Sequence, residues 1–302
     1  MCNGSDSIFI LEAIVKKVGL IVAVYKSGEE LAYEIKQTNI IGESIAFWNL
    51  GQAGILIKGK EQDGFLCIDP YLTFSIEVKD HETEFKRAFP PVIDPAMLQD
   101  LDGVLVTHGH DDHLDLPSVK EIARVSESIF GIPAPLASLV QEQVENISIH
   151  PTKDGKSFMI KGFKITPIAA AHPDYETDSL KNHVFLGYLI EVNGIRIYHS
   201  GDTMVTSELI EKVKNFRPHV AFLPINGSDY FRTSRGIIGN MSSREAVDFS
   251  VTVGIDLIVP IHYDMFPNNR ENPAYFVDYL FHHYPNKKFH MMVPGERFIY
   301  HK

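Results

Sequence analysis

Gly103-Val104-Leu105-Val106-Thr107-His108-Gly109-His110-Asp111-Asp112-His113 is the stretch on which the reading of this chain turns. Its first half is a short apolar run of the kind that fills a buried strand. Its second half is a cluster of imidazoles and carboxylates, H-x-H-x-D-H. With 14 histidines in 302 residues, three at these fixed offsets arise by chance roughly 0.03 times per chain, before an aspartate is also demanded. Neutral imidazole and carboxylate are the ligands that zinc, manganese and iron take. His108 and His110, separated by one glycine, are expected to point the same way from an extended turn, and Asp112 and His113 to point elsewhere at the start of the next helix. That arrangement suits two ions a few ångströms apart. The plainer alternative, a solvated polar loop, fits poorly with a cluster placed directly after a buried strand, where α/β proteins build their sites.

A two-ion site needs more ligands, and three candidates each close a β-type run. His172 follows Ile165-Thr166-Pro167-Ile168 and three alanines, Asp202 lies in Ser200-Gly201-Asp202-Thr203 after Ile195–Tyr198, and His262 ends Leu257-Ile258-Val259-Pro260-Ile261. A carboxylate can bridge two cations, so Asp202 is the natural bridge. Taken singly, Asp202 also reads as a turn residue and His262 as a satisfied core histidine. His183 and His199 read as sheet residues, and His282 and His283 as surface residues of a C-terminal helix.

Outward from the cluster, the chain divides into short apolar runs and amphipathic stretches. Residues 45–50, 54–57 and 64–69 are β-type runs punctuated by glycine, which predicts an antiparallel meander. Residues 8–17 and 28–37 have helical spacing, 70–95 read as irregular, and a short helix is expected near 95–100. Downstream, helices are expected at 117–126, 137–144, 206–215, 242–253 and 273–284, and strands at 157–160, 163–168, 185–192, 195–199, 219–224 and 255–260. Ser242-Ser243-Arg244-Glu245 makes an N-cap for the 242–253 helix. Strands first, then alternating strands and helices, predict a layered α/β architecture with sheet packed between helices. No linker divides the chain, so residues 1–302 read as one domain, with 1–43 a helical N-terminal extension.

Composition narrows the function. Twenty-eight Lys and Arg against 39 Asp and Glu give a net charge of −11. That balance argues against nucleic acid as a partner, because such binding rests on clustered cations. It leaves room for a small anionic substrate held by a local cation or a metal. The two cysteines, Cys2 and Cys67, build no disulfide framework, and Cys67 lies in an apolar run as a buried thiol. The first residues lack a basic segment, and no apolar run reaches the ~18 residues of a membrane helix, so a cytoplasmic protein off the membrane is expected.

The H-x-H-x-D-H string, the later S-G-D-T and the terminal I-H resemble the metallo-β-lactamase superfamily. Within it the chain is similar to the L-ascorbate-6-phosphate lactonase branch, through Phe47-Trp48-Asn49-Leu50-Gly51, Tyr198-His199-Ser200-Gly201-Asp202, Arg235-Gly236-Ile237, Met241-Ser242-Ser243 and Val259-Pro260-Ile261-His262-Tyr263-Asp264. The resemblance implies an αββα four-layer sandwich with two divalent ions, manganese or zinc, at one edge of the sheets. It also implies hydrolysis and an oligomeric cytoplasmic enzyme. There are departures. The lactonase has an aspartate near the position of His172, a longer loop after the position of Asp69, and a lysine where this chain has Asn240. Imidazole at position 172 favours zinc over manganese.

The expected chemistry is hydrolysis by a hydroxide held at a dinuclear site, on a small anionic substrate such as a sugar-phosphate lactone. Asp112 is expected to orient the nucleophile as well as bind an ion. Arg235 is the candidate for gripping an anion, since guanidinium takes phosphate or carboxylate in bidentate fashion. Tyr263 and Asp264, close behind the last ligand, are candidates for support or substrate contact, with packing an equal reading for Tyr263. No residue stands out as the acid for the leaving group. The competing readings are a phosphodiesterase on the same fold, a di-iron oxidoreductase, and a non-catalytic metal-binding or scaffold protein.

Overall fold

The computed structural model describes residues 23–302. The helix expected at 8–17 and most of the N-terminal extension lie outside them. In the described part of that extension, the helix expected at 28–37 is present as α1 (Gly28–Gln37).

Among the described residues, fourteen strands form two seven-stranded sheets. The first sheet takes β1 (Ser44–Gly51), β2 (Gly54–Lys58), β3 (Phe65–Ile68), β4 (Gly103–Leu105), β5 (Ile129–Pro133) and β6 (Ser148–Thr152). The second takes β7 (Phe158–Ile160), β8 (Phe163–Ala169), β9 (Leu186–Val192), β10 (Ile195–His199), β11 (Val220–Pro224), β12 (Leu257–Ile261) and β13 (Lys288–Phe289). The last strand, β14 (Arg297–His301), returns to the first sheet and pairs antiparallel with β1. The expected meander is β1–β2–β3, antiparallel throughout. From β3 to β6 and from β10 to β13 the pairing is parallel.

The layering follows from the period of two in a strand. In β1, Ile45 and Phe47 face the second sheet and, with Ile55 of β2, join Ile190 and Phe222 of that sheet in a shared core. Ala46 and Trp48 face the other way, onto Leu31 of α1 and Ile122 of α3 (Leu116–Val125). A third cluster joins the outer face of the second sheet, through Tyr198 and Ala221, to α5 (Ser207–Phe216) and α7 (Ser243–Thr252). With both faces of each sheet covered, central strands read as continuous apolar runs. The result is an αββα sandwich, as expected.

The remaining helices are α2 (Ser75–Lys79), α4 (Ala134–Gln143), α6 (Tyr230–Thr233) and α8 (Pro273–His283). The capping reading at Ser242 holds in full: its hydroxyl accepts from Glu245 N–H while the Glu245 carboxylate takes the Ser242 N–H. Two expectations need correction. Residues 70–95 are not wholly irregular, because α2 interrupts them. The helix near 95–100 is a single 3-10 turn, Pro95–Met97, started by the Asp94 side chain. Helix α3 begins at Leu116, with Asp112 and His113 in the turn that leads into it, as expected. No described helix is long and apolar enough to cross a membrane.

Candidate metal centre

Each strand that carries a candidate ligand delivers it at its C-terminal end. His108 follows β4, His172 follows β8, Asp202 follows β10 and His262 follows β12. All seven sequence-predicted ligands converge at one edge of the two sheets. Three clusters have ligand atoms within 4.8 Å of one another: His108, His113 and Asp202; His110, His172 and Asp202; Asp112, His113 and His262. Asp202 belongs to two of them, in keeping with a bridge. Its oxygens lie 3.3 Å from His113 Nε2, 3.3 Å from His262 Nε2 and 3.7 Å from His172 Nε2. Asp112 Oδ2 lies 3.5 Å from His262 Nε2 and 3.7 Å from His113 Nε2. The S-G-D-T turn needs its glycine. Gly201 has φ +57, and a Cβ there would sit 2.8 Å from both the Leu186 carbonyl oxygen and Thr107 Cβ.

The site is buried except at His110 and Asp112, which open onto a cavity of about 380 Å³. His113 Nε2 and Asp202 Oδ1 are fully buried yet have no hydrogen-bond partner. A buried polar atom left unpaired costs about 1–3 kcal/mol, so two of them facing each other call for an explanation. Neutral imidazole nitrogens and carboxylate oxygens at this spacing are a donor set that fits divalent cations.

Electrostatics divides the histidines. Burial holds the imidazoles of His108 and His172 below their ordinary range, His172 at about 4, so both are neutral with lone pairs to offer. Burial also acts against protonation of His113 and His262. There the carboxylates of Asp202 and Asp112 outweigh it, raising His113 to about 9 and His262 well above the usual value. Burial would raise the carboxyls of Asp112 and Asp202, but the facing imidazoles of His113 and His262 reverse that and hold both well below the carboxylate range.

Three residues that sequence reading missed support the cluster. Asp69, directly after β3, accepts from Thr107 N–H at 2.8 Å, Thr107 Oγ1 at 2.7 Å and His113 Nδ1 at 2.7 Å. This keeps a proton on His113 Nδ1 and aims Nε2 at Asp202, so that a bound cation would take the place of the Nε2 proton. Gln52, in the β1–β2 turn, puts its Nε2 2.7 Å from Asp112 Oδ2 and 2.9 Å from His262 Nε2. Its backbone carbonyl accepts the His262 backbone N–H at 3.0 Å. Gln52, Asp69 and His262 all have left-handed backbones, with φ +56, +46 and +58. Strain of this kind in non-glycine residues gathers at functional sites. Phe185 packs its ring 5.0, 5.6 and 5.2 Å from those of His108, His110 and His172.

The residues expected to contact substrate are placed differently. Arg235 is half exposed, its guanidinium bonded to Glu84 at 2.7 Å, and it is not part of the cavity wall. Tyr263 and Asp264 line a separate cavity with Pro267, Arg270 and Met292. Burial raises the Asp264 carboxyl to about 6. His199 is a sheet residue as expected, with Nε2 2.9 Å from the Ala53 carbonyl, and His282 and His283 are exposed on α8.

Residues 66–263 match the family model described as a beta-lactamase superfamily domain. The chain belongs to that superfamily. This superfamily member is also 30% identical over 186 residues to a UPF0173 metal-dependent hydrolase of Anoxybacillus flavithermus, covering 60% of this chain and 76% of that protein. A second UPF0173 metal-dependent hydrolase, from Exiguobacterium, is 29% identical over 237 residues, covering 77% of this chain and 93% of the relative. Among solved structures, the metallo hydrolase Igni18 of Ignicoccus hospitalis superposes with a TM-score of 0.63 at 23% identity, covering 86% of this chain and 99% of its own. That likeness bears on the fold. The family is therefore that of metal-dependent hydrolases, and the narrower lactonase branch is not singled out by these relatives.

Proposed function

We propose that this metal-dependent hydrolase works with a pair of divalent cations, zinc or manganese, on small-molecule esters or lactones. His108, His110 and His172 would hold one cation and Asp112, His113 and His262 the other, with Asp202 between them. The observation that carries this reading is the pair of buried, unpartnered atoms, His113 Nε2 and Asp202 Oδ1, set 3.3 Å apart among five further ligand-bearing side chains.

Bound there, divalent cations bring the pKa of a water toward neutrality and polarise the bond to be cleaved. The chain's own residues set the stage. Asp69 fixes the tautomer and orientation of His113, and Thr107 Oγ1, 3.0 Å from His108 Nδ1, does the same for His108. Gln52 holds Asp112 Oδ2. Asp112, kept ionised by His113 and His262 against its burial, acts as an acceptor that orients water and not as an acid. In the overall reaction, water supplies hydroxyl to the acyl carbon and a proton to the departing oxygen as the acyl C–O bond breaks. Acid and alcohol leave with no other reactant.

The test is a panel of lactones, carboxylic esters and simple phosphodiesters, offered to protein loaded with zinc or manganese. Turnover of an ester or lactone is expected, abolished by chelator and by the double variant His110→Ala, Asp202→Ala with the fold retained by circular dichroism. A double variant with full activity would remove the metal mechanism. Turnover confined to diesters would move the protein to the phosphodiesterases.

A further inference from the structure

Taking the hydrolase reading of the same site as its basis, we propose that the substrate is an uncharged acyl compound with a compact apolar group, and not a phosphorylated or otherwise anionic one. The cavity at the candidate ligands is walled by Ile76 of α2, by Phe85 from the segment that follows it, by Ile237 and Ile238 after α6, and by Phe266. Phe85 and Phe266 meet edge to face, with ring centroids 5.5 Å apart, so this wall is a packed aromatic corner. A volume of about 380 Å³ lies at the small end of ligand sites, which run about 300–1,000 Å³.

The one cation on the cavity wall and three arginines nearby are each held by protein groups. Lys79 is the only lysine or arginine among the described residues of the lining, and it pairs with Asp111 at 2.8 Å, with Asp80 also on the wall. Arg235 is held by Glu84. Arg232 is bonded to Asp229, to the Asn226 carbonyl at 2.7 Å and to Asn269 Oδ1 at 3.1 Å. Arg87, stacked 4.4 Å over the Tyr71 ring, donates to the carbonyls of Tyr71, Thr73 and Phe89; its Nη2 is unpartnered, but the residue does not line the cavity. A phosphate lying beyond the reacting bond would therefore meet isoleucine, phenylalanine and carboxylate, and would lose hydration without a partner. A neutral polar handle is present. Asn269 Oδ1 accepts from Asn226 and Arg232, which fixes the amide so that its NH₂ is the group left for a substrate carbonyl.

The experiment uses metal-loaded protein and three hydroxamate probes whose head group binds cations: acetohydroxamate, hexanohydroxamate, and the six-carbon chain ending in phosphate. Affinity is read by titration calorimetry, with bound metal counted in the same samples. Each methylene buried against the wall tightens binding about 3- to 4-fold, so the hexano probe should bind at least tenfold tighter than the acetyl one. The terminal phosphate should cancel that gain. Ile238→Asp, at a partly exposed position, should erase the advantage of the hexano tail while bound metal stays unchanged. A phosphate-ended tail that binds as tightly as the hexano tail, or affinity that ignores tail length, would overturn the inference and leave the hydrolase reading standing. Failure to take up metal would overturn that reading, and the inference with it.

Discussion

Replacing Asp69 by asparagine should disarm the site without touching a proposed ligand. One carboxylate oxygen of Asp69 accepts the Thr107 N–H, and the other faces both Thr107 Oγ1 and His113 Nδ1 at 2.7 Å. Asparagine keeps the first bond through its carbonyl. It then presents an NH₂ where the second oxygen stood, and an NH₂ cannot accept the His113 Nδ1 proton. The imidazole must shift its proton to Nε2, the nitrogen that faces Asp202 at 3.3 Å, and so lose its lone pair there. Loss of such an outer partner of a metal-bound histidine costs about 10- to 100-fold in metal affinity, or roughly 1.4–2.7 kcal/mol. Chelator competition with zinc on wild-type and Asp69→Asn protein measures this directly, and far-ultraviolet circular dichroism checks the fold. Wild-type affinity in a folded Asp69→Asn variant would refute the role given to Asp69.

Other outcomes follow from the same geometry. Gln52→Gly should remove the amide that holds Asp112 Oδ2 while relieving the φ +56 backbone, so chelator-treated protein should melt no lower than wild type even as metal affinity falls; a lower melting temperature with unchanged affinity would make Gln52 merely structural. Phe222→Ala should cost about 3–5 kcal/mol in urea unfolding, because its ring meets Phe47 edge to face at 5.1 Å in the core between the sheets. Lys287, whose ammonium donates to the Ser250 and Ile255 carbonyls, is lowered to about 8 by burial from an ordinary 10.5. The unfolded chain then binds more protons between those values, so stability should rise from pH 8 to 10.5 in wild type relative to Lys287→Met, measured by paired urea titrations. An equal pH response in the two proteins would contradict that burial.

Legibility in the sequence followed the range of the interactions. The H-x-H-x-D-H cluster was readable because its ligands are local and chemically unusual. His172, Asp202 and His262 were readable because each ends a run that buried strands require. The capping box at Ser242 spans four residues and announced itself in the same way. Asp69 and Gln52 carried no such mark: their partners lie 38–44 and 60–210 residues away, and a lone aspartate or glutamine beside a strand looks like any turn residue. Arg235 was read as free for substrate because its partner, Glu84, is 151 residues distant. The edge strand β14 joins β1 across the whole chain, and α2 has only five residues, too few to show a helical period. The cavity wall, assembled from three separated loops, had no local signature at all.

Counting metal tests the central claim most directly. Protein reconstituted with excess zinc, desalted and examined by native mass spectrometry should carry two ions per chain, and Asp202→Ala should lose at least one of them. A wild-type chain that retains none, or an Asp202→Ala chain that still holds two, would contradict the reading of these seven side chains as a paired cation site.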